Sequence, residues 1–230
     1  VVDLVDVDSA KWDAYAAEAA WPKRWALARE GRTVGRLERR AVEDCEAVVL
    51  VSEEEAGLLG RDGANVMAVG NGVDSEYFAP GAVAPARCDG RVLVFTGTMS
   101  YRPNEQAMRW FATEVWPALK AEADDLELWI VGREPTPAVR SLAAMPGVRV
   151  TGSVADVRPY LEAAAMSICP LRTARGVQNK VLEAMAMGKA VVASPDSIVG
   201  LDVECGRDVF AAEAAGQWRA TILRLLTDSS

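Results

Sequence analysis

The stretch RGVQNKVLEAMAMGKAVV, residues 175–192, decides the fold of this chain. It places Gly176 before a predicted helix start, Lys180 and Glu183 inside the helix, and Gly188 at its end, directly before an apolar strand. Unpaired N–H groups at a helix N-terminus attract phosphate, and a nearby ammonium strengthens that attraction. A carboxylate on the same face suits the paired hydroxyls of a ribose. The pattern therefore predicts a site for a nucleoside diphosphate.

Predicted strands and helices alternate through the rest of the C-terminal part, which is typical of an α/β fold. Apolar runs such as residues 92–95 indicate parallel strands that are buried on both faces. We predict a Rossmann-like, doubly wound parallel sheet, whose ligands bind beyond the carboxyl ends of the strands. The predicted strands are 91–96, 126–131, 148–151, 166–171 and 190–193, and the predicted helices are 104–123, 137–144, 154–164, one from 176, and 212–226.

The N-terminal part is shorter and contains fewer predicted elements. A strand at the start of the chain is expected to run into a loop, and a long helix over residues 21–46 follows it. We predict a partial N-terminal domain over residues 1–80, a linker rich in Pro, Gly and Ala over 81–90, and a C-terminal domain over 91–230. Because a strand at residue 1 has no neighbour in sequence, the chain is expected to begin inside a domain.

Composition excludes several classes of protein. The 230 residues carry a formal net charge of −8, which argues against a nucleic-acid partner. Histidine is absent, which excludes nucleophile systems that depend on it and argues against a metal site. No apolar run approaches the roughly 20 residues that a membrane-spanning helix needs, and no signal peptide is visible. The expected location is the cytoplasm.

Loops at the predicted strand ends offer further candidates for nucleotide binding. Gly97, Gly132 and Gly152 each follow a strand, where glycine lets the backbone approach a ligand closely. Arg102 offers a forked contact to phosphate, and the backbone around Val154 is suited to line a base pocket. Taken alone, each of these loops also fits an ordinary strand-to-helix turn with solvated side chains.

The segment from Gly176 to Glu183 is more specific. An exposed ion pair between Lys180 and Glu183 is the alternative interpretation, since residues three apart share a helical face. However, a cation at a helix start is disfavoured by the helix dipole unless an anion is bound. We therefore favour a site for phosphate and ribose, and its members are Gly176, Val177, Gln178, Asn179, Lys180 and Glu183.

A basic segment stands out in the otherwise acidic chain. Residues 23–40 contain seven basic residues against two acidic ones, Glu30 and Glu38. Peripheral contact with an anionic membrane surface is one interpretation, and a solvated helix face is the other. The basic residues are Lys23, Arg24, Arg29, Arg32, Arg36, Arg39 and Arg40.

The chain resembles retaining, GT-B-fold glycosyltransferases of family 4 in four short motifs, which are NGVD at 71–74, FTG at 95–97, IVG at 130–132 and EAMAMG at 183–188. Two further segments are similar to bacterial sugar transferases of exopolysaccharide and exosortase gene clusters, and they are DVDS at 6–9 and ARGVQNK at 174–180. The resemblance implies that the C-terminal domain is the donor-binding half of a GT-B fold. The N-terminal part would be a remnant of the acceptor-side Rossmann-like domain.

The same resemblance implies roles for individual residues. Glu183 would bind the donor ribose and the turn from Gly176 to Lys180 the diphosphate. The family pattern has a sugar-contacting glutamate where this chain has Arg175, which we take as the donor-sugar residue. The family also has an arginine and a lysine where Thr98 and Asn104 stand. Compared with the family, the chain is expected to be truncated at both ends.

The implied activity is transfer of a hexose, with retention, from a nucleotide-diphosphate sugar to a glycan or lipid-linked acceptor in exopolysaccharide synthesis. Lys180 and Arg102 would be catalytic because they stabilise the charge of the departing diphosphate, and no separate cofactor or metal is expected. A non-catalytic nucleotide-binding module or an inactive truncated homologue is the alternative. A nucleotide-sugar epimerase is less compatible with a chain that lacks histidine.

Overall fold

The computed structural model describes residues 1–60, 65–173 and 176–227. Contacts divide these residues into two compact units. The first contains residues 1–60 and 65–71, together with 176, 177 and 199–201. The second contains residues 72–173, 178–198 and 202–227. The predicted linker at 81–90 thus groups with the second unit, and its role as a linker stays a prediction.

The first unit is built on a small parallel sheet with the strand order β1-β2-β3. Val7, Leu50 and Ala56 form its buried cluster. Ser52 caps α3 by accepting a hydrogen bond from the Glu55 N–H at 3.2 Å. The strands are β1 (Val2–Val5), β2 (Val48–Leu50) and β3 (Val66–Ala68), and the helices are α1 (Asp8–Glu18), α2 (Lys23–Asp44) and α3 (Glu53–Leu58).

Helix α1 follows the expected short loop after the first strand and is an element that the sequence did not predict. Its sequence is rich in alanine, which has the highest helix propensity. It packs on α2, where glycine allows close approach: a Cβ added to Gly35 would lie 3.3 Å from the Ser9 Cβ. Glu38 of α2 is only 4% exposed and accepts hydrogen bonds from the Ser9 N–H, at 2.9 Å, and the Ser9 hydroxyl. The inner face of α2 is therefore committed to α1.

The second unit contains a six-stranded parallel sheet with the order β6-β5-β4-β7-β8-β9. The chain builds outward from β4 to β6 and then returns to the other side of β4, so the order reverses between β4 and β7. Ligands of such sheets bind at this reversal, beyond the carboxyl ends of the strands. The strands are β4 (Arg91–Thr96), β5 (Leu126–Val131), β6 (Val148–Gly152), β7 (Ala164–Cys169), β8 (Ala190–Ala193) and β9 (Phe210–Ala211).

Helices flank this sheet, and the α/β prediction with a doubly wound parallel sheet is confirmed. The predicted helix over 104–123 is interrupted by a π-helical turn at Phe111–Val115. Pro117 has no N–H to donate to a carbonyl four residues earlier, so the regular helix cannot continue through it. The helices are α4 (Arg102–Trp110), α5 (Trp116–Glu122), α6 (Pro137–Arg140), α7 (Arg158–Ala163), α8 (Asn179–Ala186) and α9 (Ala215–Thr227).

Within residues 1–60, 65–173 and 176–227, no helix has both the length and the apolar content that crossing a bilayer requires.

Candidate functional site

The carboxyl ends of β4 and β5 meet at two glycines. Gly97 and Gly132 have φ values of +154° and +147°, which few L side chains adopt. The Gly97 N–H donates to the Val131 carbonyl at 3.0 Å. A Cβ added to Gly132 would lie 1.8 Å from the Gly97 carbonyl oxygen, so only glycine fits there. The backbone itself therefore forms this part of the sheet edge.

Lys180 reaches the same edge from the first turn of α8. Its Nζ donates to the Asn104 Oδ1 at 2.9 Å and lies 5.0 Å from the centroid of the Phe95 ring. Asn104 in turn donates from Nδ2 to the Thr98 carbonyl at 2.9 Å. The starts of α4 and α8 are thus joined. Thr98 and Asn104 occupy positions where the family resemblance has an arginine and a lysine, so this edge carries two positive charges fewer than that pattern.

The surroundings of Lys180 disfavour its charge. Burial lowers the pKa of the ammonium, and the Cys169 and Glu183 side chains offset part of that effect. Burial also raises the pKa of the Cys169 thiol, which keeps it neutral. Asn104 supplies a neutral oxygen to the ammonium rather than a compensating charge. An anion beside Lys180 would favour the protonated form.

Glu183 lies one turn further along α8. The buried residues of this helix are Val181 and Ala184, whereas Glu183 is half-buried and does not enter the core. Burial raises the pKa of its carboxyl group, and the Lys180 ammonium lowers it in part. These two described side chains form no ion pair with each other, so the alternative of a simple surface pair is not what the structure holds.

The turn before α8 is divided between the two units. Gly176 and Val177 group with the first unit, where Gly176 is buried with φ +67° and a Cβ added to it would lie 2.0 Å from an Asp6 carboxylate oxygen. Gln178 directly precedes α8 and Asn179 is its exposed first residue. Arg175 lies outside the described residues. The nucleotide-binding roles of these residues stay predictions.

An open cavity of about 360 Å³ lies at the carboxyl ends of β5 and β6. Gly152 lines it with φ +73°, and a Cβ there would meet no atom within 4 Å. Ser153 and Arg140 line it as well, and the Arg140 Nε donates to the Pro135 carbonyl at 2.9 Å. Val154, which we predicted beside Gly152, is half-buried in the next loop.

Sequence reasoning gave too little weight to the loop after β5. The Arg133 Nε donates to the Thr98 Oγ1 at 3.0 Å, and the Met99 N–H donates to the Arg133 carbonyl at 2.8 Å. Ser100 donates to a carboxylate oxygen of Glu134 at 2.6 Å, and Glu134 itself has φ +56°. This non-glycine residue in the left-handed region lines the cavity. The signal in the sequence was the polar pair Arg133 and Glu134, which directly follows the buried strand β5 and Gly132.

Arg102 is the exposed first residue of α4, on the turn that also carries Asn104. The structure thus brings one end of α4, the start of α8 and the loops after β4 and β5 to a single edge of the second unit. Within the described part of the chain, no group of three or more Cys, Asp or Glu residues is arranged to hold a metal ion.

Comparisons with known proteins agree with this architecture. The family model "Glycosyl transferases group 1" matches residues 90–228. No curated protein matches the sequence.

Three solved structures illustrate the likeness of fold. Sucrose-phosphate synthase from Thermosynechococcus elongatus is 20% identical, with a TM-score of 0.68 over 86% of this chain and 53% of that one. HepE from Anabaena, in complex with UDP and glucose, is 16% identical, with a TM-score of 0.68 over 86% of this chain and 58% of that one. A glycosyltransferase from Rickettsia africae is 15% identical, with a TM-score of 0.65 over 84% and 57%.

The chain spans little more than half the length of these structures, and at such identities they show a GT-B fold alone. The family model, by contrast, covers more than half of the chain. The chain therefore belongs to the glycosyl transferases group 1 family.

Proposed function

We propose that this chain binds a nucleotide-diphosphate sugar at the carboxyl edge of its six-stranded sheet and contributes to transfer of the sugar. The observation that carries the proposal is Lys180, a partly desolvated cation at the start of α8 that is held at the mouth of β4 by Asn104. HepE, a structural neighbour, was solved with UDP and glucose bound. The likeness supports a ligand of the same chemical class.

Each part of the donor has a counterpart at this edge. The N–H groups in the first turn of α8 and the Lys180 ammonium suit the diphosphate. Glu183, one turn further along, suits the ribose hydroxyls. The 360 Å³ cavity beside Gly152 is large enough for a base, and its backbone groups and Arg140 supply polar contacts.

The chemistry follows from charge development at the diphosphate. When the bond between sugar and diphosphate breaks, the leaving group gains negative charge and the sugar becomes oxocarbenium-like. Lys180 stabilises the leaving group, and Arg102 at the start of α4 and Arg133 in the loop after β5 share that charge. The acceptor hydroxyl, of a glycan or a lipid-linked glycan, passes its proton to the departing phosphate.

We further propose that the donor sugar is a hexose, that its configuration is retained, that the chain belongs to family 4 and that it acts in exopolysaccharide synthesis. These proposals rest on the sequence motifs at 71–74, 174–180 and 183–188. Arg175 in place of a glutamate belongs to the same proposal, as the residue that contacts the donor sugar. No organic cofactor or metal takes part. The predicted membrane contact is independent of the donor site, because it depends on a different surface.

A non-catalytic nucleotide-binding module is the second candidate. Two substitutions favour it: Thr98 and Asn104 are neutral where the related pattern has an arginine and a lysine. Fewer positive charges at the diphosphate would weaken stabilisation of the leaving group more than they weaken binding of the nucleotide.

Calorimetric titration with UDP tests the donor site. We expect Lys180→Ala to weaken binding roughly 10–100-fold, because it removes a hydrogen bond to a charged group worth about 1.5–3 kcal/mol. Glu183→Ala should weaken it about tenfold. The matched control is Lys189→Ala, since Lys189 precedes β8 at the amino edge of the sheet and donates to the Glu162 carbonyl. Unchanged affinity in both site variants would remove the basis of the proposal.

Incubation with UDP-glucose distinguishes the two candidates. Cleavage of UDP-glucose to free UDP that depends on Lys180 supports a transferase. Tight binding of UDP, with no cleavage of UDP-glucose in the presence of any acceptor, supports the binding module.

A further inference from the structure

The outer face of α2 carries a stripe of arginines that the fold does not use. Gly31, Gly35 and Glu38 form the buried side of this helix, which packs on α1. On the opposite side, exposed arginines recur every three or four residues and therefore share one face. We call this set the basic stripe, and its members are Arg29, Arg32, Arg36 and Arg40.

The basic stripe is not held by ion pairs in the part of the chain that the structure describes. Among the residues that the structure describes, none of the ion pairs involves an arginine of this stripe. Arg32, Arg36 and Arg40 follow one another at intervals of four, where like charges destabilise a helix. The arrangement costs stability, and no ion pair within the described part of the chain offsets that cost. An external anion is the partner that such a surface fits.

Two exposed tryptophans flank the start of the same helix, Trp21 just before it and Trp25 in its first turn. Trp21 is 84% exposed and Trp25 is 60% exposed. Trp25 is four residues before Arg29 and so extends the line of the basic stripe. Exposed Lys23 and Arg24 lie between the two indoles. Indole side chains prefer the boundary between water and lipid headgroups, where their apolar body and polar N–H are both satisfied.

Charge complementarity determines which face of the molecule such a partner meets. Residues 21–40 hold seven basic and two acidic residues, and one of the acidic pair, Glu38, is buried against Ser9. The whole chain carries −8. An anionic surface therefore repels most of the molecule and attracts this one helix, which fixes the orientation of approach.

We propose that the outer face of α2 docks on an anionic lipid bilayer. The Trp21 and Trp25 indoles enter the headgroup region, and the basic stripe lies on lipid phosphates. A dissolved polyanion would also attract the arginines, but it gives no reason to leave two large indoles in water. This docking does not depend on the donor site and holds whether or not the chain transfers sugar.

Sedimentation with vesicles tests the proposal on the full chain. We expect binding to vesicles of phosphatidylcholine with phosphatidylglycerol, little binding to phosphatidylcholine alone, and release by high salt because salt screens exposed charges. Equal binding to both kinds of vesicle would overturn the proposal, as would an absence of binding to either.

A matched pair of variants separates the basic stripe from net charge. Arg32→Gln with Arg36→Gln should weaken binding to the anionic vesicles roughly 25-fold, at about fivefold for each arginine near the surface. The control is Arg109→Gln with Arg219→Gln, two exposed helical arginines of the second unit whose loss changes net charge equally. Equal weakening by both pairs would contradict docking through α2.

The tryptophans distinguish a bilayer from a dissolved polyanion. Trp21→Ala with Trp25→Ala should weaken vesicle binding about tenfold or more, because exposed indoles contribute only where a headgroup region receives them. Heparin serves as the dissolved probe. The proposal would be overturned if heparin bound as tightly as the vesicles and the tryptophan substitutions left vesicle binding unchanged. The partner would then be a dissolved polyanion. Thermal melts of all variants confirm folding, since every substituted side chain is exposed or half-exposed.

Discussion

This acidic chain presents positive charge in two ways. Lys180 is a single cation whose ammonium is fixed by Asn104 at 2.9 Å and whose pKa is lowered by burial. The basic stripe of α2 consists of four exposed arginines without ion pairs among the described residues. A half-buried cation held in one place recognises an anion by its position, whereas an exposed row responds to the summed charge of a surface. The difference suggests a specific small ligand at the first region and an extended partner at the second.

The largest expected effect tests the close backbone contact between Gly97 and Gly132, at the edge of the sheet that Lys180 reaches. Gly132→Ala forces an L residue to φ +147° and places a Cβ 1.8 Å from the Gly97 carbonyl oxygen. We expect a loss of about 2–5 kcal/mol in the free energy of unfolding, from backbone strain and overpacking together. Thermal denaturation measures it, as a fall in Tm of roughly 5–15 °C.

Gly216→Ala is the control for that substitution. It lies in α9, and an added Cβ would meet no atom within 4 Å. Alanine is the better helix former by up to about 1 kcal/mol, so stability should stay the same or rise. An equal loss of unfolding free energy in both variants would mean that the loops of Gly97 and Gly132 are not held in close contact.

The next effect compares the two faces of α2. Glu38→Ala leaves the partly buried Ser9 N–H without its acceptor, and we expect it to cost about 1–3 kcal/mol of unfolding free energy. Arg36→Ala, two residues away on the outer face, should change stability by less than about 0.5 kcal/mol. Urea denaturation of both variants provides the measurement. A comparable loss from Arg36→Ala would show that the basic stripe has a structural role after all.

The smallest effect concerns pH. Since burial lowers the pKa of Lys180, its ammonium loses its proton at a lower pH than an ordinary lysine. UDP affinity that depends on this charge should therefore fall as the pH rises through that lowered pKa. Lys180→Arg should move the decline to higher pH, because a guanidinium keeps its charge. Calorimetric titrations between about pH 7 and 10 compare the two proteins, and superimposable profiles would exclude Lys180 as the titrating group.

The sequence predicted most of the architecture of the second unit. Strand prediction succeeded at β4, β5 and β8 because each is a short apolar run bounded by polar or glycine residues. The two-residue β9 is too short to give such a signal. Helix α1 was missed because its mixed polar and apolar residues hide a pattern that only packing on α2 reveals.

The candidate site was predictable only in part. Gly97, Gly132 and Lys180 could be identified because glycine after a strand and lysine at a helix start have local physical meanings. The bond from Lys180 to Asn104 joins residues 76 positions apart, and no local pattern encodes it. The cavity beside Gly152 likewise depends on the spacing of two loops, which only the folded chain defines.

The loops after β4 and β5 are fastened to each other by two backbone and two side-chain hydrogen bonds, which link residues 97–100 to residues 131–134. Neither loop can open without breaking hydrogen bonds to the other, so the two loops form one linked unit. A molecule that touches only one of them would slow amide hydrogen exchange in both. In the proposed donor site, contacts with the base and contacts with the phosphates would then be energetically coupled before any sugar is present.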